Sequence, residues 1–293
     1  MWQAEHVAER LRRQDDVEDV ALVPLSTRGD EVLDQSLQKI GGKGLFIKEL
    51  ELAMQAGDAD IAVHSMKDVP AEMPADFRIA AVLERGSPFD ALVTGNGGTL
   101  ESLPAGAVIG SSSLRRQAQL LALRPDFTVR PLRGNVNTRL ARLEDGLFDA
   151  IVLACAGLER LGLATRISER IESDRMLPAA AQGVIGIECA SRRRDLAELL
   201  ARLEHGPTRD TTFAERAVAR RLQATCHSPV ASYAVIDGGD VLLRALVASA
   251  DGRHVLRAEQ RAPIGEVDRL GNDVADALLA QGAGELLKQA AQS

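Results

Sequence analysis

Three cysteines could supply a nucleophile, and their surroundings separate them. Cys155 follows Ile151-Val152-Leu153-Ala154 and Cys189 lies just after Ile185-Gly186-Ile187, apolar runs that read as homes for buried structural thiols. Cys226 sits instead in Ala224-Thr225-Cys226-His227-Ser228-Pro229, a polar loop ahead of a strand. A loop thiol can act as a nucleophile or as a point of covalent attachment; an incidental loop cysteine is the alternative. The three are odd in number and far apart, which excludes a disulfide framework or a CxxC metal pair and points to a reducing cytosol.

Arginine is the second feature able to do chemistry. Arg115 and Arg116 follow Ser111-Ser112-Ser113 at the start of a helical run, Arg133 and Arg139 flank Gly134-Asn135-Val136-Asn137, and Arg160 follows Ala156-Gly157-Leu158. Ligands of open α/β sheets gather at strand exits of this kind. Helix N-termini offer N–H groups to anions there, and guanidinium forks grip carboxylates or phosphates. One such arginine reads as a solvated surface residue; five read as a site for several negative groups, with carboxylate and phosphate undistinguished.

Asp68 ends a strand-like run beside Lys67 and before Val69-Pro70. A carboxylate so placed can exchange protons or stabilise a developing cation, or it can simply shape the turn before a proline. Lys39-Ile40-Gly41-Gly42-Lys43-Gly44 fits neither GxxxxGK[ST] nor GxGxxG and reads as a flexible loop carrying two lysines. His64 has no second ligand at metal spacing, so it reads as a packed strand histidine, and no metal is expected.

These side chains need elements to hold them. From about residue 20 to 200, strand-like runs alternate with amphipathic helices: strands at Val20–Leu25, Asp60–His64, Ala107–Gly110, Phe127–Leu132, Ala150–Ala154 and Val184–Cys189, and helices at Leu45–Ala56 and up to Leu123. Such alternation predicts an α/β architecture with largely parallel sheets. After His205-Gly206-Pro207 the pattern changes. Val230–Ile236, Val241–Ser249 and His254–Gln260 read as three antiparallel strands joined by Asp237-Gly238-Gly239-Asp240 and Ala250-Asp251-Gly252, followed by a helical stretch from 267 to 291. The 293 residues, 45% hydrophobic, suit two or three domains. With 42 acidic against 35 basic residues the chain is not a general nucleic-acid binder, so any basic patch must be local. No apolar run reaches the length of a membrane span, and Met1-Trp2-Gln3-Ala4-Glu5-His6 lacks the character of a signal peptide.

Taken together, the motifs resemble the porphobilinogen deaminase (hydroxymethylbilane synthase) family. The matching stretches are Thr27-Arg28-Gly29-Asp30, Gly41-Gly42-Lys43-Gly44-Leu45-Phe46, His64-Ser65-Met66-Lys67-Asp68-Val69-Pro70, Ser112-Ser113-Leu114-Arg115-Arg116-Gln117, Leu132-Arg133-Gly134-Asn135, Ala156-Gly157-Leu158-Glu159-Arg160-Leu161 and Ala181-Gln182-Gly183. They run in order through essentially the whole chain. The resemblance implies two lobes like those of type II periplasmic binding proteins, residues 1–83 plus 184–201 and residues 89–177. It adds a small α+β domain, residues 206–293, whose three-stranded antiparallel sheet carries the cofactor loop.

The reaction implied joins four porphobilinogen molecules head to tail with loss of ammonia, and releases a linear hydroxymethylbilane. Growth starts on a dipyrromethane bonded as a thioether to a cysteine, here Cys226. By the same resemblance Asp68 is the catalytic aspartate; Lys67, Ser112, Ser113, Arg115, Arg116 and Arg133 hold the cofactor; and Arg139, Arg160, Gln182, Lys43 and Phe46 meet the substrate. A cytoplasmic monomer is implied, without nucleic acid, membrane or metal. Two departures stand out. Ala224-Thr225 replaces the family's usual Gly-Gly before the cysteine. The chain also begins at Met1-Trp2-Gln3-Ala4, where family members have a preceding strand and a turn with a basic residue and a serine. The first lobe is therefore expected to be a strand short, and this form weakly active. The competing readings are a non-catalytic two-lobed anion-binding protein and a truncated, inactive deaminase.

Overall fold

The computed structural model describes residues 1–25 and 44–292; Thr27-Arg28-Gly29-Asp30, Lys43 and the side chain of Phe46 lie outside what is described. In chain order the strands are β1 (Ile61–Ser65), β2 (Phe77–Val82), β3 (Asp90–Thr94), β4 (Val108–Gly110), β5 (Thr128–Arg130), β6 (Ala150–Ala154), β7 (Glu169–Ile171), β8 (Ile185–Ala190), β9 (Val230–Asp237), β10 (Asp240–Ala248) and β11 (Val255–Pro263). The helices are α1 (Trp2–Leu11), α2 (Gly44–Ala56), α3 (Leu114–Leu123), α4 (Val136–Glu144), α5 (Cys155–Arg160), α6 (Arg194–Ala201), α7 (Gly206–Arg221), α8 (Val267–Ala280) and α9 (Ala283–Gln292). The chain divides into two compact units: Met1–Arg85 with Val184–Arg209, and Gly86–Gly183 with Asp210–Ser293.

In the first unit β8 lies between β1 and β2 and runs antiparallel to both. The alternating sequence pattern predicts parallel pairing here, and the structure corrects it. The chain comes back to this unit after residues 86–183 and β8 then runs opposite to both neighbours, a direction that the alternation of elements along the chain does not encode. Val7 and Leu11 of α1, one helical turn apart, bury with Ala81, Leu83 and Ile187. Met54 of α2 packs with Ala62, Phe77 and Ala190, and the helix stops at Gly57, whose φ is +83°. Val20–Leu25 is not a strand. The Val20 N–H donates to the Asp19 carboxylate at 2.7 Å and its carbonyl accepts from Arg12, so local side chains take the bonds that a ladder would use.

The second unit holds a five-stranded sheet of order β5-β4-β6-β3-β7. β4 pairs parallel with β5 and β6, as predicted from the intervening helices, whereas β3 is antiparallel to β6 and β7. The other sheet is the predicted meander β9-β10-β11. Strand alternation gives it two apolar faces. Val241, Leu243, Ala245 and Val247 pack under Leu270, Val274 and Leu278 of α8, while Leu246 and Ala248 face Ala118 of α3 and Leu177. The β10–β11 turn also abuts α3: a Cβ at Gly252, where φ is +72°, would stand 2.5 Å from the Ala118 carbonyl oxygen. The terminal helical stretch is two helices, divided at Gly282 with φ +103°.

Candidate active site

In the first unit, β1 delivers its chain into a single 3-10 turn, Met66–Asp68. Met66 is the anchor. Its N–H donates to the Val184 carbonyl at 3.0 Å, and its side chain, 1% exposed, lies over Gly186 of β8. A Cβ at Gly186 would sit 2.1 Å from the Met66 sulfur, so only glycine leaves the space that this close approach requires. With Met66 sunk inward, Lys67 and Asp68 sit half-buried on the same turn. His64 is packed within β1 as predicted, with its Nε2 2.7 Å from Oε2 of the fully buried Glu188. Glu51 of α2 adds to this group: burial first, then the neighbouring Glu188, push its carboxyl up. Among the described residues no cluster of His, Cys, Asp and Glu has the makings of a metal site.

The second unit gathers Arg115, Arg116 and Gln182 around a residue that the motifs do not single out, Asp90. Ser113 caps α3, its Oγ accepting from the Arg116 N–H, and the next turn of helix aims both guanidinium groups inward. Arg115 donates to the Asp90 oxygens at 2.7 and 3.2 Å and to the Leu177 carbonyl at 2.7 Å. Arg116 donates to Asp90 Oδ1 through Nε at 2.9 Å and Nη2 at 2.7 Å, and to the Val152 carbonyl at 3.0 Å. Gln182 Nε2 reaches Asp90 at 3.1 Å and the Pro88 carbonyl at 2.7 Å. Burial alone would raise the Asp90 carboxyl, but the two guanidinium groups hold it far below the usual carboxylate range. Burial pushes Arg115 down from the ordinary arginine value. Two cations against one anion leave the cluster net positive. A sequence signal for Asp90 existed: a carboxylate heading the apolar strand Asp90-Ala91-Leu92-Val93 must find cations if it is to be buried.

Other predicted residues sit close by in the chain but face solvent more. Ser112 Oγ both donates to the Leu132 carbonyl and accepts from the Leu132 N–H, each at 3.0 Å, which ties the start of α3 to the loop carrying Arg133. Arg133 is exposed. Asn135 caps α4 by accepting from the Thr138 N–H at 2.9 Å, and Arg139 donates from Nε to the Gly134 carbonyl at 2.7 Å. Arg160, half-buried at the end of α5, donates to the Gly183 carbonyl at 2.6 Å and is pushed down by burial. It thereby grips the same Ala181-Gln182-Gly183 turn that Gln182 connects to Asp90. That turn is strained, with Ala181 at φ +57°; the buried Glu215 of α7 accepts from the Ala181 N–H at 2.6 Å.

The three thiols separate as the sequence predicts. Cys155 and Cys189 are buried; burial pushes Cys155 up to about 11 and raises Cys189 as well. Cys226 is exposed, with its Sγ 3.2 Å from His227 Nδ1. An accessible thiol is what a thioether requires, and a net-positive arginine cluster suits a carboxylate-bearing pyrrole, so the residues fit the expected dipyrromethane.

The geometry defines an α/β protein with a buried arginine–aspartate cluster and an antiparallel module preceded by an exposed thiol. A family model described as the porphobilinogen deaminase dipyrromethane cofactor binding domain matches residues 1–198, and one described as the porphobilinogen deaminase C-terminal domain matches residues 210–280. The porphobilinogen deaminase of Xanthomonas campestris pv. campestris (strain B100) is 54% identical over 289 residues, covering 99% of this chain and 95% of that one. The porphobilinogen deaminase of Stenotrophomonas maltophilia is 54% identical over 287 residues, covering 98% and 95%. The chain belongs to the porphobilinogen deaminase family. Among solved structures it is similar to the VFT2 domain of Bordetella pertussis BvgS, at 17% identity over 68% of this chain and 76% of that one, with a TM-score of 0.40. No helix among the described residues is long and apolar enough to cross a membrane.

Proposed function

We propose that this chain is the hydroxymethylbilane-forming transferase of its family, condensing porphobilinogen head to tail with loss of ammonia, and that Cys226 carries its dipyrromethane. The observation that carries the residue assignment is the contrast among the thiols: Cys226 is exposed in a polar turn, while Cys155 and Cys189 are buried and held protonated. Once attached, the dipyrromethane supplies the pyrrole carbon on which the product is built. Asp68 provides a carboxylate on a rigid turn, suited to stabilising the cation that develops as the substrate amine departs. Each pyrrole ring brings an acetate and a propionate. Arg115, Arg116 and Arg133, with Lys67, Ser112 and Ser113, are assigned to the cofactor's carboxylates and polar edges. Arg139, Arg160 and Gln182 are assigned to the lengthening substrate, together with Lys43 and Phe46. The domains are 1–83 plus 184–201, 89–177 and 206–293, in a cytoplasmic monomer whose free thiols suit a reducing compartment.

Intact mass and peptide mapping of the purified protein test the reading. An adduct of dipyrromethane mass on the Cys226 peptide is expected, absent in Cys226→Ser and retained in Cys155→Ser. A free Cys226 thiol in turning-over enzyme would overturn it.

A further inference from the structure

We infer that Glu188 is a positioning residue for the Asp68 turn, acting through the His64 imidazole; this rests on the reading that Asp68 is the catalytic carboxylate. Strand geometry sets the pair up. β1 and β8 run antiparallel with Ala62 opposite Glu188 and His64 opposite Gly186, so His64 and Glu188 are diagonal neighbours on one face of the sheet. Ala62 and Ala190, two residues along on the same face, pack with Met54 and Phe77, so the pair lies in apolar surroundings.

Glu188 has no exposure and His64 is 7% exposed. Nε2 of His64 stands 2.7 Å from Glu188 Oε2, while Glu188 Oε1 is buried without a hydrogen-bond partner among the described residues. The side-chain hydrogen bonding of this carboxylate therefore runs through one imidazole. Helix α2 brings a second carboxyl, Glu51, into the same surroundings, where burial and then Glu188 push it up. Such a pair is a poor means of gaining stability, because well-packed apolar side chains of the same volume serve as well or better. What the hydrogen bond adds over apolar contact is direction.

That direction is passed to the turn. His64 is the last buried residue of β1; Ser65 follows, then the 3-10 turn Met66–Asp68. The chain here is held to the β8 segment at three points: His64 on Glu188, the Met66 side chain over Gly186, and the Met66 N–H on the Val184 carbonyl. The last two fix where the turn sits. The first, an imidazole pinned at its far end, fixes the twist with which β1 enters it. A carboxylate that stabilises developing charge must be in place before the charge appears, and a small misplacement caused far from the chemistry is costly in rate.

The test uses the full chain carrying its adduct, verified by intact mass. The double substitution His64→Leu with Glu188→Met exchanges the pair for apolar side chains of similar volume. Its melting temperature should hold or rise, while kcat falls about 10- to 10²-fold and KM stays near wild type. Glu188→Gln, which keeps an acceptor for the ring, should recover most of that turnover. Should the double variant not fold, His64→Gln takes its place; it keeps a donor for Glu188 without the ring, and the same fall in kcat is expected. In an Asp68→Asn background the pair substitutions should cause little further loss, because residues that act as one unit are not additive. A folded double variant with wild-type kcat would overturn the proposal, as would a full further loss in the Asp68→Asn background. Wild-type turnover in Asp68→Asn beside slow pair variants would instead sink the catalytic reading of Asp68, and would leave the pair supporting a turn whose chemistry belongs to another residue.

Discussion

Two aspartates at strand ends, Asp90 in the second unit and Asp68 in the first, sit in very different surroundings. Asp90 heads β3 with no exposure and is gripped by Arg115, Arg116 and Gln182. Asp68 closes a three-residue turn anchored by its neighbour Met66 and stays half-buried. A buried carboxylate matched to cations holds its surroundings in place; a half-buried carboxylate on a braced turn keeps part of its surface open to solvent. The first should therefore be read out in stability and the second in turnover.

The largest expected effect is at Asp90. Removing one member of a buried ion cluster leaves uncompensated charge, so Asp90→Ala should lose about 3–5 kcal/mol of stability in denaturant unfolding. Acid should reveal the same clamp. The Asp90 pKa is depressed in the folded state, so its contribution is present above the unfolded carboxylate value of about 4 and is lost as pH falls below it. Wild type should lose stability there more steeply than Asp90→Asn; parallel acid-unfolding curves would contradict the clamp.

Asp68→Asn comes next and should move the other quantity. With the adduct in place, turnover should fall by about 10²–10³, while the melting temperature stays close to wild type. Near-normal kcat would remove Asp68 from the chemistry, and a large loss of stability would erase its contrast with Asp90.

Gly186→Ala sharpens the comparison from the side of the anchor. The new methyl meets the Met66 sulfur, and overpacking of this kind costs about 1–3 kcal/mol. Displacing Met66 should also misplace Asp68, so kcat should fall along with stability; a stability loss with kcat intact would separate the anchor from the catalytic turn. The smallest effect on stability belongs to the exposed Arg133. Arg133→Leu should stay within about 0.5 kcal/mol of wild type, yet alter the distribution of partly elongated enzyme seen by native mass spectrometry. An unchanged distribution would count against its role in holding carboxylates.

Local pattern carried much of this protein. The strand-like runs placed β6, β9 and β10 to within a residue and β11 to within three, the hairpin glycines marked the meander, and loop polarity set Cys226 apart from Cys155 and Cys189, because neighbouring residues alone record which face is buried and where the chain must turn. It did not record pairing direction, which depends on how distant strands enter a sheet, so β8 runs antiparallel against expectation, and β3, antiparallel to β6 and β7, escaped the pattern altogether. Nor did it separate Arg115 and Arg116 from Arg133. All sit at strand exits, and only the fold brings Asp90, 25 residues before Arg115 in sequence, beneath the first two. An ion cluster is decided by groups that meet through tertiary packing, and desolvation gives that meeting its strength; neither is written in the spacing of the arginines themselves.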